Sequence, residues 1–381
     1  MSEISLLQST LKSHLPWHGA RLNFLAQLLI ALFRVKTVNL AEIASAFIGQ
    51  AQQDSHYKRL QRFFRHFEVD AALVAKVVIA LMDFLSPWVL CFDRTQWQFG
   101  QTAHNILMLA VAHQGIAFPL LWVLLPKRGN SNTAERIDLV AQLLKLFPRK
   151  QIAYLTADRE FVGRAWIKYL LKQPVPFRIR IRQSECLDNG RGKAIKARVL
   201  FADLAPEQMR VLPKRRRLWG YWVYVAALRL KDGQLLVVVT SNSAQTAIAD
   251  YAKRWEIETL FGCLKRRGFE LESTHLVDAA RLSKLLAVLT LALCWAHRTG
   301  EWLAQLKPLK FKKHSRKAKS VFRYGFDHLR QIMLNLSQRQ AEFRTALVFL
   351  SLYVECGASS IELLHLSRDA WIAGRMNLVL S

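Results

Sequence analysis

Between Trp88 and Arg182 three strand-like stretches follow one another and then helix and strand alternate, an order that admits few folds. WVLCFDRTQWQFG opens the series, and residues 105–112 and 116–125 read as two more strands joined by a Gln114-Gly115 turn. After PKRGNSN, Asn132 and Glu135 have the spacing of a capping box for a helix to about Phe147. Residues 151–156 read as a short buried strand ending at Ala157-Asp158-Arg159, a helix starts at about Val162, and residues 177–182 form a last strand. A helix linking two strands of one sheet is a crossover, so the later strands should run parallel to the first. The expected class is α/β.

Four further segments surround this core (88–182). The N-terminal segment, 1–87, is helical: residues 22–35 have apolar periodicity, and Asn39 caps a short helix that stops at Gly49. A second helix begins at Asp54 or Ser55, with a stripe of Tyr57, Leu60, Phe63, Phe64 and Phe67 bordered by Lys58, Arg59, Arg62 and Arg65. Helix, glycine turn and basic helix fit a helix-turn-helix that reads a major groove, and they fit a plain helical bundle nearly as well. Residues 71–85 add another helix. Residues 183–241 are basic and strand-rich; the alternation over 219–230 and the Lys231-Asp232-Gly233 turn predict a hairpin within a β-subdomain inserted into the core. There Lys214-Arg215-Arg216-Arg217 fits a grip on phosphate and fits a solvated loop, while Trp219 and Trp222 are expected in the insertion's own core. The core resumes over 242–300 with a buried helix at 282–295. The last segment, 301–381, holds a basic, acid-free linker, KPLKFKKHSRKAK (307–319), expected to touch DNA, and helices from about 321 to 364.

Charge narrows the partner. The net +27, from 55 basic against 28 acidic residues, calls for a polyanion, and 52% hydrophobic residues suffice for a sizeable core. The longest apolar run, 285–296, is shorter than a bilayer span, and no signal peptide opens the chain. Nucleic acid is thus favoured over membrane, and a cytoplasmic, nucleoid-associated location is expected. The five cysteines show no CxxC or Cys/His ligand spacing, which argues against structural zinc and a disulfide framework.

Residues 250–268, DYAKRWEIETLFGCLKRRG, read as one amphipathic helix. At roughly 100° per residue, Tyr251, Arg254, Glu258 and Lys265 fall within about a 60° arc beside the arc of Ile257, Leu260, Phe261 and Leu264. Taken singly, these charges fit ordinary surface pairing. Their spacing, with Tyr and Arg separated by two residues, Arg and Glu by three, and Glu and Lys by six, resembles the signature of the insertion-sequence-four family of bacterial transposases. That family belongs to the DDE, RNase H-like superfamily. CFDRTQW and TADREF precede the signature in the family's order, so the resemblance spans roughly residues 93–265.

The resemblance implies an RNase H-like catalytic core interrupted by a β-rich insertion, with a helical N-terminal DNA-binding domain and a C-terminal helical segment. It implies Asp93, Asp158 and Glu258 as catalytic ligands of two Mg2+ ions, for which Mn2+ can substitute. Hard cations take oxygen donors, and a metal pair can activate the nucleophile and stabilise the leaving oxygen of a phosphodiester. Tyr251, Arg254 and Lys265 would contact DNA phosphates, with Arg254 alternatively only neutralising Glu258. Lys58, Arg59 and Arg62 would bind the element's terminal repeats. Family members resolve the end through a DNA hairpin, for which Trp255 would stack on an extruded base; its alternative is to pack under the insertion. Some relatives carry a further tryptophan where this chain has Leu236, leaving Trp219 or Trp222 as other stacking groups. The partners implied are double-stranded DNA, as repeat and target, and a second copy of the chain in a synaptic dimer. Two other readings stand beside cut-and-paste transposition: an inactive transposase-derived DNA-binding regulator, and a structure-selective nuclease on the same fold.

Overall fold

The computed structural model describes residues 2–312 and 317–351. Five helices come first: α1 (Glu3–Lys12), α2 (Gly19–Val35), α3 (Leu40–Ser45), α4 (Gln53–His66) and α5 (Ala71–Met82). Next are β1 (Trp88–Phe99), β2 (Thr102–His113), β3 (Ile116–Leu124), α6 (Thr133–Leu146), β4 (Ile152–Ala157), α7 (Arg164–Lys172) and β5 (Phe177–Ile181), in the order the sequence predicts. The inserted segment contributes β6 (Cys186–Asp188), β7 (Ala194–Lys196), α8 (Ala197–Leu200), β8 (Met209–Val211), β9 (Arg216–Leu218), β10 (Tyr221–Arg229) and β11 (Leu235–Thr240). Helices α9 (Ala247–Ala252), α10 (Trp255–Gly262), α11 (Ala279–Leu306), α12 (Val321–Leu334) and α13 (Gln340–Val348) follow. The chain divides into two compact units: Phe64–Ala75 with Phe84–Thr290, and the described parts of Met1–Phe63, Lys76–Asp83 and Leu291–Ser381.

The first unit is built on one large sheet of order β3-β2-β1-β4-β5-β11-β10-β8, with β9 paired to β10. β1 is antiparallel to β2 and parallel to β4, and β4 is parallel to β5, as the crossovers require. Residues 104–111 of β2 are buried without interruption, so both faces of the sheet are covered there. Gln114 and Gly115 both take positive φ, 50° and 91°, which the tight turn between β2 and β3 requires. The capping box forms: Glu135 N donates to Asn132 Oδ1 at 2.9 Å and Asn132 N to Glu135 Oε2 at 2.7 Å.

The insertion differs from a separate subdomain. Its hairpin forms as expected, but β11 pairs antiparallel with β5, from Val237 opposite Ile181 to Thr240 opposite Arg178, and so continues the core sheet. The physical reason lies in both strands: β5 would otherwise present an open edge, and all residues of β11 are buried, which demands cover on both faces. Only β6 and β7 form a sheet of their own.

The second unit joins the N-terminal helices to the C-terminal ones, where the sequence suggested separate domains. Eleven residues of α2 are buried, so its apolar surface extends beyond the single stripe that α1 and α3 cover. α12 and the end of α11 complete the cover: Phe33 meets Phe326 and Trp295 at centroid distances of 5.3 and 5.5 Å, and Arg34 Nε donates to the Met333 carbonyl at 2.8 Å. α11 and α12 cross at Gly300 and Gly325, where an added Cβ on either would strike the other helix's backbone. Asn39 caps α3 as predicted, its Oδ1 accepting from Ala41 N, and Phe24 packs against Phe47, just after α3, and Phe63, in the last turn of α4.

One expectation about length is corrected. The apolar run at 285–296 extends into the 28-residue α11, which is long and apolar enough by composition to cross a bilayer; 78% of its most apolar window is buried inside the protein, as in a core helix. Part of the basic linker (313–316), Cys356 and everything expected of residues 352–381 lie outside the described residues.

Candidate active site

The stretch 250–268 is not one helix. α9 ends at Ala252, Lys253 and Arg254 form a turn, α10 starts at Trp255, and Cys263–Arg267 closes as a π-helical turn. The break follows from what each piece holds. α9 is tied to β5 through Asp250, whose Oδ2 accepts from Arg178 Nε at 2.8 Å; Arg178 Nη1 also donates to Thr240 Oγ1 at 2.6 Å. α10 instead lies over β1 and β3, and the turn between them directs Arg254 inward to β1.

Around Arg254 a continuous chain of contacts assembles. Its Nη1 donates to Asp93 Oδ2 on β1 at 2.9 Å, its Nη2 lies 2.8 Å from Glu258 Oε1 on α10, and its Nε donates to the Tyr251 hydroxyl at 3.2 Å. The Tyr251 hydroxyl in turn donates to Asp158 Oδ1 at 3.1 Å, just past the end of β4. Asp93, Asp158, Glu258, Tyr251 and Arg254 are thus brought together across three separate stretches of chain. The backbone N–H of Arg94 donates to Asp93 Oδ1 at 2.8 Å.

Sequence reasoning missed three neighbours. Arg94 and Glu160, each adjacent to or near one of the aspartates, form a two-pronged ion pair at 3.2 Å on both prongs, and Arg94 also donates to Asn105 Oδ1 at 3.1 Å and Asn130 Oδ1 at 3.2 Å. This clamp fastens the loop after β4 to β1 and so sets one aspartate against the other. Arg180 on β5 places Nη1 3.8 Å from Asp158 Oδ1. The alternation FRIRIR was the available signal, because it puts Arg178 and Arg180 on one face of the strand.

Charge at the site is governed by burial. Burial raises the Asp93 carboxyl, Arg254 and the Arg94 N–H pull it back, and Glu160 and Glu258 push it up again, to about 6. Burial likewise pushes the Tyr251 phenol up to about 12 against the opposing pull of Arg254. For Arg254, 4% exposed, burial works against the charge, but Tyr251, Asp93 and Glu258 outweigh it and hold the guanidinium above its ordinary value. Three carboxylates from three elements are the oxygen-donor set of hard divalent cations. Asp93 and Glu258 already share one cation, the Arg254 guanidinium. Their oxygen chemistry suits a divalent ion, but Arg254 and Tyr251 lie between the three carboxylates, which do not gather within ligand spacing of one another, so an ion competes with Arg254 for them.

The other expected residues lie elsewhere or differently. Trp255 is 58% exposed, with the Arg254 Cζ 4.9 Å from its ring centroid, so it does not pack under the insertion. Lys265 Nζ donates to the Gln96 carbonyl of β1 at 2.8 Å, pairs with Glu272 at 3.1 Å and lies over Trp97. Lys58, Arg59 and Arg62 belong to the other unit; Lys58 and Arg62 are exposed, and Arg59 lies over the Phe24 ring. Trp219 is partly buried and donates to Glu185 Oε2 at 3.2 Å, but Trp222, expected in a core, is 49% exposed.

The family model described as "Transposase DDE domain" matches residues 85–295, more than half of the chain. No curated protein matches the sequence. Among solved structures, the chain is similar to a cryo-EM structure of the piggyBac transposase synaptic complex with hairpin DNA. The identity is 10% and the TM-score 0.49, over 93% of this chain and 84% of that one.

Proposed function

The chain belongs to the transposase DDE domain family and is a transposase, and from that premise we propose that it cuts its element's terminal inverted repeats and joins the 3′ ends to target DNA. The observation that carries this reading is the contact chain from Asp158 through Tyr251 and Arg254 to Asp93 and Glu258. It supports assignment to the insertion-sequence-four group, whose signature residues are those that converge. The sheet order β3-β2-β1-β4-β5, with β2 reversed, supports an RNase H-like core.

Asp93, Asp158 and Glu258 would hold two divalent ions, magnesium or manganese, which when bound supply an activated nucleophile and stabilisation of the leaving oxygen. The chain's own residues prepare the site. Arg254 holds Asp93 and Glu258 on one planar guanidinium, fixing the strand carboxylate against the helix carboxylate. Tyr251 orients Asp158 by donating to one of its oxygens. Lys265 is anchored to β1 beside the site, and its ammonium reaches a DNA phosphate by exchanging Glu272 for it. The basic face of α4, with Lys58, Arg59 and Arg62, binds the repeat, and two copies pair the two ends in a synaptic dimer.

The test is cleavage of DNA carrying the gene's own flanks. Asp93→Ala, Asp158→Ala and Glu258→Ala should each remove nicking and strand transfer while preserving end binding in a gel shift. A variant that nicks normally removes its residue from the site. Calcium, larger and looser in geometry than magnesium, should support complex formation without turnover. Nicking without strand transfer would favour a nuclease, and end binding without nicking a regulator.

A further inference from the structure

We propose that the cleft between the 188–192 turn and residues 214–222 of the inserted segment binds an unpaired nucleotide of DNA, its phosphate on Lys214 and Arg216 and its base against Trp222. The inference rests on DNA being the substrate, as proposed above. The cleft measures about 470 Å³, within the range of about 300–1,000 Å³ typical of small-ligand pockets. Four consecutive basic residues, Lys214 to Arg217, line it together with Trp222 and Gly190.

These cations stand apart from others in the same segment. Arg210 is paired with Asp203 at 2.7 Å and Lys231 with Glu207 at 3.3 Å. Among the described residues, no carboxylate pairs with any of the four cleft cations. The one acid on the wall, Asp188, is engaged in its own turn, accepting from Gly190 N at 2.5 Å. Arg216 Nε is buried with no hydrogen-bond partner, and its Nη1 reaches only the Lys214 and Arg215 carbonyls at a long 3.4 Å. A buried N–H left unpaired is costly, and a phosphate oxygen would satisfy it. Gly190, at φ +90°, permits the approach: a Cβ there would lie 3.3 Å from the Arg216 Cζ.

Trp222 supplies the second half of the site. Its neighbour Val223 is buried, so strand alternation turns Trp222 outward, 49% exposed on the cleft. The Arg217 guanidinium lies 5.3 Å from its ring centroid, which steadies the ring without covering the whole of it. A cationic groove bordered by an exposed aromatic ring is how proteins take single strands, because an unstacked base offers a π-face that a duplex hides.

The test uses the full chain without divalent cations, with anisotropy titrations of a fluorescein-labelled oligothymidylate, the same backbone lacking bases, and a blunt duplex. Trp222→Ala should weaken oligothymidylate binding between about fivefold and about 150-fold, while the abasic strand and the duplex bind as to wild type. Trp222→Phe, which keeps a stacking face, should bind oligothymidylate nearly as wild type does. Arg216→Gln should weaken both single strands and lower the salt slope by about one. Wild-type affinity of Trp222→Ala for oligothymidylate, or a Phe variant as weak as the Ala variant, overturns the site. Cleavage is not needed for any of these readings. Trp222 dependence in a chain that never nicks leaves the cleft standing and removes the end-cutting proposal; nicking with no Trp222 dependence does the reverse.

Discussion

The active site and the insertion cleft use the same side chains to opposite effect. Each sets an arginine beside an exposed tryptophan: Arg254 at 4.9 Å from Trp255, and Arg217 at 5.3 Å from Trp222. In the active site Arg254 is buried and held by Asp93, Glu258 and Tyr251, so its charge organises the protein's own carboxylates. In the cleft Arg216 has a buried nitrogen with no partner and no acid to neutralise it. A guanidinium whose charge is cancelled internally adds little to the field that attracts a polyanion, whereas an unpaired one adds its full share. The net +27 therefore matters for binding where charges are unpaired, as in the cleft, more than at the catalytic centre.

The largest expected effect tests that contrast directly. Arg254→Gln leaves Asp93 buried without its counter-ion and should cost about 3–5 kcal/mol of stability. Nearly all of this comes from Asp93, because Glu258 is 41% exposed and its pair is worth about 0–1 kcal/mol. Arg216→Gln removes a buried N–H that has no partner and no acid to neutralise, so it should not destabilise the chain, while weakening single-strand binding. Chemical denaturation of both variants measures it; similar losses of stability would erase the distinction.

A smaller effect follows from Asp93 alone. Folded, its carboxyl keeps a proton up to about pH 6, whereas the unfolded chain releases it near 3.8, so the folded state binds more protons between these values. That contribution is fully present below about 3.8 and is lost as pH rises through about 6, and it amounts to at most about 3 kcal/mol. Melting temperatures of wild type and Asp93→Asn across this window should diverge, wild type losing ground as pH rises. Parallel curves would mean that Asp93 titrates normally.

How far the sequence anticipated this arrangement depended on the range of the interactions. The capping box at Asn132 and Glu135, the Gln114-Gly115 turn and the succession of strands are fixed by neighbours within a few residues, and they form as read. The helical wheel over 250–268 gathered Tyr251, Arg254 and Glu258 correctly but assumed one helix. The break at Lys253–Arg254 arises from Asp250 being bound to Arg178 and Arg254 to Asp93, partners 72 and 161 residues away. Lys265, beyond the π-helical turn, is consequently held by Gln96. The Arg94–Glu160 clamp likewise joins residues 66 apart that no local pattern connects. The same holds for α2, whose breadth of apolar surface was legible while its cover by α12 was not. An isolated fragment of the first 70 or so residues would lack Phe326 and the Met333 carbonyl on which α2 rests, so repeat binding by α4 is better tested in the full chain.

The two tryptophans give the subtlest separation. Trp255 opens α10 directly after Arg254, and because Arg254 is committed to Asp93 and Glu258, the Trp255 ring is fixed at the edge of the carboxylate cluster while remaining 58% exposed. A base stacked on it would lie at the reacting phosphates, where a hairpin intermediate demands an extruded nucleotide. A base stacked on Trp222 would lie in the insertion cleft instead, among cations with no carboxylate to join. Stacking is worth about 1–3 kcal/mol per base, so Trp255→Ala should leave first-strand nicking nearly intact and reduce hairpin formation between about fivefold and about 150-fold. Trp222→Ala should leave the ratio of hairpin to nicked product unchanged while weakening single-strand binding. Denaturing gels of end-labelled DNA over a time course resolve all three species. Double-strand breaks with no hairpin at any time would refute the hairpin route, and equal hairpin loss in both variants would mean that one continuous strand path engages both rings.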